Sequence, residues 1–147
     1  MNKRPGANCY ACPLRANQCI SPPENSGARF IAITPAPTTN DIFKGLRSSD
    51  SIRLFEKVLN FHSIPYDDFE YIPVVQCDGF KDLSTTEKNR AVKACSGYVL
   101  DYVNNAYPEA CLSLGPDASL TAVGTRGWTA ARPGPARRRG ESLAVPV

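Results

Sequence analysis

The chain has 147 residues, 42% of them hydrophobic, with six cysteines and a net charge of +3. That length suits one domain with a single real core, and the longest apolar runs are far too short to span a bilayer. No charged-then-apolar segment ends in a small-residue cleavage site, so the expectation is a cytoplasmic monomer with no membrane partner, whose thiols serve metal or redox chemistry rather than a disulfide framework.

The first cysteines lie in "NCYACPLRANQC", residues 8–19, where Cys9 and Cys12 form a C-x2-C pair and Cys19 follows seven residues later. "RFIAI" (29–33) is a short apolar run ending at the turn-rich 34–41, which reads as a buried strand feeding a loop. "SDSIRLFEKVLNF" (49–61) places Ile52, Phe55, Val58 and Leu59 on one helical face behind an Asp50 or Ser51 cap. His62 follows that helix, where an imidazole near the terminal carbonyls is the common case. "FEYIPVVQC" (69–77) is strand-like, with Pro73 implying an edge, bend or bulge. Ser84 and Glu87 stand at capping-box spacing and open a long helix through about Asn105. "ACLSLG" (110–115) is a third apolar strand with Gly115 at its exit, and "DASLTAVG" begins another helix.

Strands alternating with helices imply a mostly parallel sheet covered on both faces. In such sheets the ligand crevice lies among the loops at the carboxyl ends of the strands, here 34–41, 76–84 and 115–117. Residues 1–124 form the expected domain and carry 12 Lys+Arg against 13 Asp+Glu. Residues 125–147 carry five Arg and one Glu, so the basic balance belongs wholly to this segment. It shows neither helical nor strand periodicity and reads as a disordered Arg/Pro/Gly-rich tail. A basic arm touching phosphates through Arg137, Arg138 and Arg139, or a replaced native ending, are the other readings. Trp128 and Arg126 read as incidental within it.

Cys77 follows the second strand, and Cys95 lies inside the long helix. Four thiolates from Cys9, Cys12, Cys77 and Cys95 could hold zinc or an iron–sulfur cluster. Structural zinc sites usually draw on two tight pairs. Here only the first pair is tight, and the spread of the second suits a larger group such as [4Fe–4S]. A non-metal reading stays open. Cys111, in an apolar strand, reads as a small hydrophobe, and Cys19 is set aside for want of a partner at matching spacing.

The order C-x2-C-P-L, a strand into a Pro-containing loop, Gly45 eight residues past Pro37, Val-Val-x-Cys, then x17-Cys and "YPEACLSLG" with "DA" resembles the iron–sulfur uracil-DNA glycosylases, often called family four. The likeness runs from about Asn8 to Gly124. It implies a three-layer α/β/α sandwich of uracil-DNA glycosylase type, a [4Fe–4S] cluster on Cys9, Cys12, Cys77 and Cys95, and DNA as partner, with a replication or repair protein as a further one.

Position by position, Ala36, Pro37, Asp41 and Gly45 match the family's first loop. The acid expected near the attacking water falls on Pro35, and the aromatic that would stack on a flipped uracil falls on Ser48. The Asn that would read the base edge falls on Pro73, and the late His-Pro-Ser segment has no counterpart. A glycosylase must extrude a base, stack it, read its edge and stabilise charge as the C–N bond breaks. Proline offers neither carboxylate nor amide, and serine has no π-face. The resemblance therefore implies a DNA-binding, repair-related iron–sulfur protein with lost or altered uracil excision. The alternatives are a working glycosylase (a hydrolase) that uses Asp41 as stand-in base, and a zinc structural module held by four cysteines. For Asp41 the plain reading is a loop carboxylate capping the next turn.

Overall fold

A computed structural model of the chain describes residues 2–123 and 143–146. The strands are β1 (Phe30–Thr34), β2 (Phe69–Pro73), β3 (Ala110–Ser113) and β4 (Leu143–Pro146). The helices are α1 (Thr39–Lys44), α2 (Asp50–Phe61), α3 (Thr85–Ala106) and α4 (Pro116–Val123). Every strand pairing is parallel, in the order β2-β1-β3-β4, with Ile31 opposite both Glu70 and Cys111. The fold is thus mixed α/β on a parallel sheet, as the alternation of elements implies.

Side chains on a strand alternate between its two faces, and here both faces are buried. Ile31, Ile33, Ile72 and Cys111 join one core cluster with Val92, Cys95 and Val99 of α3 and Ala118 of α4. Ala32, Phe69 and Tyr71 join a second cluster with Ile52 and Leu59 of α2, against which Phe30, Phe55 and Leu112 pack. Phe55 meets Phe69 edge-on at a centroid separation of 5.4 Å, the geometry that aromatic quadrupoles favour.

Pro73 ends β2, which is the edge strand of the sheet, opposite Thr34. A proline lacks an N–H, and an edge position is where the ladder tolerates that loss. The chain resumes its bonding at once, since the Val74 N–H donates to the Thr34 carbonyl at 2.9 Å. β3 leaves the sheet through Leu114 and Gly115, whose φ of +88° suits glycine.

Four local expectations change. The N-cap of α2 is Ser49, whose Oγ accepts from the Ile52 N–H at 3.3 Å, so Asp50 is the first helical residue rather than the cap. Val58 is 48% exposed. The inward stripe of α2 is Ile52, Phe55 and Leu59, and residue 58 falls beyond its edge. Within the stretch read as a loop, Thr38 and Asp41 close a capping box and start α1. Leu143–Pro146, read as part of an aperiodic tail, form a strand beside β3. Four residues are too few for periodicity to declare a strand. The readings placed on Arg126, Trp128 and Arg137–Arg139 fall outside the described residues. Among the described residues, no helix is long and apolar enough to cross a membrane.

Candidate metal centre and strand-end crevice

The C-x2-C pair sits on a single tight turn. Cys9–Ala11 forms one turn of 3-10 helix, closed by the Cys12 N–H donating to the Cys9 carbonyl. Two contacts fasten this turn to α3 beside Cys95. The Asn8 N–H donates to the Ala94 carbonyl at 2.8 Å. One helical turn along α3, Gly97 lies so close to Gly6 that a Cβ there would overlap the Gly6 carbonyl. Cys77 arrives from the other side, four residues beyond β2, and the peptide N–H of Gln76 bonds to Cys95.

Cys12, Cys77 and Cys95 are buried members of one core cluster, against which Cys9 and Cys19 pack. Their mutual influence is electrostatic as well as steric. Burial pushes the Cys95 thiol up to about 11; the Gln76 N–H opposes this, while charge on Cys12, Cys9 and Cys19 adds to it. Burial likewise pushes Cys77 up to about 12, helped by its hydrogen bond and charge interaction with Cys19, with Lys3 opposing. Cys12 is raised first by burial, against the Leu14 N–H, and then by Cys9. Adjacent buried thiols resist ionising together, because each new anion is both desolvated and repelled. A cationic centre would reverse that balance.

The structure therefore brings together the four cysteines singled out from the sequence, and it adds a fifth. Cys19, set aside from the sequence, pairs with Cys77 through an isolated antiparallel bridge, their sulfurs 3.1 Å apart. No spacing rule signals this, because the bridge joins residues 58 apart in the chain. Cys111 keeps its plain role: it is buried in β3, and burial alone raises its thiol.

Among the described residues, no group of three or more His, Cys, Asp or Glu side chains is arranged to hold a metal ion. A cluster asks for something different, since each thiolate takes its own iron and the sulfurs stand further apart. The candidate donors here are all thiols, drawn from three separate segments.

The strand ends carry the other candidate residues. Pro35, Ala36, Asp41 and Ser48 line one cavity of about 300 Å³. A second, of about 520 Å³, is walled by residues such as Pro37, Phe80, Lys88 and Asp117, and so draws on all three strand-end loops. Pro73 lines neither; it borders a third cavity with Tyr71 and Glu70. Asp41 is 3% exposed, and its Oδ2 accepts from the Thr38 N–H at 3.0 Å while its own N–H donates to Thr38 Oγ1. That carboxylate is a helix cap. His62 caps α2 through its backbone N–H, with its ring edge-on to Phe61.

One buried carboxylate escaped the sequence reading. Glu70 accepts from the N–H groups of Asn25 and Ser26 at 2.9 and 3.2 Å, from Ser26 Oγ and from the Tyr102 hydroxyl. It ties the segment that precedes β1 to the sheet and to α3. Strand alternation carried the signal, because residue 70 shares a face with Ile72. No protein-family model and no curated protein matches the chain.

Proposed function

We propose that the chain is an iron–sulfur protein of the uracil-DNA glycosylase superfamily, with the three-layer α/β/α architecture of that group. In this reading it binds DNA at the strand-end crevice and has lost ordinary uracil excision. The observation that carries the reading is the convergence of Cys9, Cys12, Cys77 and Cys95, from three distant segments, on one buried locus. These four thiols would hold the [4Fe–4S] group, whose contribution when bound is to pin the N-terminal turn to β2 and α3. Lys3, with its ammonium 3.6 Å from the Cys77 sulfur, would favour the anionic thiolate that ligation needs.

The positions that the resemblance assigns to the chemistry support a loss of excision. Pro35 and Ala36 present no carboxylate to a water, and Ser48 presents no ring to a base. The Asp41 carboxylate is already engaged by the Thr38 N–H. Base–aromatic stacking is worth about 1–3 kcal/mol per base, and this pocket supplies none of it through residue 48. For DNA, the second cavity offers Lys81 and Lys88 beside Phe80, with the Lys88 ammonium 5.7 Å from that ring centroid.

The test is metal and acid-labile sulfide analysis of anaerobically purified protein, coupled to uracil release from a single-stranded oligonucleotide. Brown protein absorbing broadly near about 400 nm, with iron and sulfide present and no uracil released, is the expected result. Colourless protein containing zinc would establish the four-cysteine structural module instead. Uracil release abolished by Asp41→Asn would establish a working glycosylase. Oligonucleotide binding should weaken steeply with salt, as counterion release requires.

A further inference from the structure

We propose that Cys19 and Cys77 are a reversible dithiol–disulfide site, and that closing it withdraws Cys77 from metal ligation. The sulfurs are 3.1 Å apart, both thiols are free, and no other pair of side-chain sulfurs in the described residues shares a hydrogen-bond contact.

The backbone explains why this pair suits a covalent bond. The Ile20 N–H donates to the Gln76 carbonyl at 2.8 Å, and the Asp78 N–H donates to the Gln18 carbonyl at 3.1 Å. Those two bonds flank Cys19 and Cys77 without involving them, which makes the cysteines a non-hydrogen-bonded antiparallel pair. Such pairs hold their Cα atoms about 4.5 Å apart, inside the range that disulfides span. Closing the sulfur contact to about 2.0 Å therefore needs side-chain rotation rather than a moved strand. Cys19 is part-exposed and Cys77 buried, so an oxidant reaches Cys19 first.

The oxidant is a hydroperoxide. The Cys19 thiol attacks its terminal oxygen, the O–O bond breaks, and water or an alcohol leaves, giving a sulfenic acid. The Cys77 sulfur then attacks the Cys19 sulfur and expels the hydroxyl as water. Two thiols are oxidised by two electrons, one peroxide is reduced, and a small dithiol restores both thiols by exchange. The disulfide stands on geometry alone; its consequence for iron rests on the cluster reading.

The full chain, purified anaerobically, is treated with stepwise hydrogen peroxide and followed by intact mass, by non-reducing peptide mapping and by iron content. The expected result is a loss of about 2 Da, one linked pair of peptides containing Cys19 and Cys77, and full reversal by dithiothreitol. A link between other cysteines, over-oxidation without a link, or unchanged mass would overturn the proposal. Peptide mapping of the unmutated chain needs no variant to fold. In iron-loaded protein, iron should leave in step with the linked peptide, while Cys19→Ser retains it at the same dose. Equal iron loss from both overturns the coupling. Protein isolated without iron defeats the cluster reading, while the mass and the peptide map still decide the disulfide.

Discussion

The thiol-rich locus beside α3 and the cavity at the end of β1 lie in one small fold, yet their chemistry diverges. At the first, thiols from distant segments are packed into one core cluster and raise one another's resistance to ionising. The second is a cavity bordered by Pro35, Ala36 and Ser48 together with polar residues such as Asn40 and Asp50, and its one buried carboxylate, Asp41, is engaged by the backbone. A pocket is a consequence of how strands end in a parallel sheet, whatever side chains line it. Converging thiols have no such default. They stay together only if several independent segments are held in place.

The largest expected effect lies on the thiol side and uses its plain member as the gauge. Burial raises Cys111 from the ordinary thiol value of 9.0 to about 12. Between these values the unfolded chain has released a proton that the native chain still holds, so stability falls as pH rises. The contribution is fully present below pH 9 and gone near pH 12, on the order of 4 kcal/mol. Metal-free protein should therefore unfold in alkali, and Cys111→Ala should shrink the difference between denaturant midpoints at pH 8 and pH 11. An unchanged slope in that variant would show that Cys111 is not the buried thiol its place in β3 implies.

Next in size is the contact that holds the C-x2-C turn against α3. Gly97→Ala forces a methyl group into the Gly6 carbonyl, and overpacking of this kind costs about 1–3 kcal/mol. Alanine is otherwise the better helix former, by nearly 1 kcal/mol, so a glycine without a close neighbour would give a gain. Urea unfolding of this variant reads the sign directly. A loss places the N-terminal segment on α3; a gain would separate the Cys9–Cys12 turn from Cys95.

Both regions were unevenly legible in the sequence. Short apolar runs bounded by turn residues and the Ser84–Glu87 spacing announce β1, β3 and α3, because those signals are local and strong. The missing N–H at Pro73 leaves edge, bend and bulge open for β2, and the strand order decides for the edge. The partnership of Cys19 was invisible, since a single antiparallel bridge depends on where two loops meet rather than on any period. Glu70 was legible in principle: an acid on the inward face of a strand demands partners. Its partners, however, come from Asn25, Ser26 and Tyr102, and no spacing links those residues. The capping role of Asp41 was readable three residues away, at Thr38.

That capping box supplies the smallest effect and the sharpest separation of the two regions. In Asp41→Asn the side-chain oxygen still reaches the Thr38 N–H, and only the negative charge at the first turn of α1 is lost. Charge near a helix N-terminus is worth about 0.3–1 kcal/mol, so stability should fall by no more than that. Thr38→Ala removes the other half of the box and should cost about 1 kcal/mol. A capping pair responds to either change in stability alone. A catalytic base behaves in the opposite way, because its amide variant keeps the fold and loses the reaction. Measuring denaturant midpoints and uracil release on the same two variants therefore assigns the carboxylate to the scaffold or to the chemistry.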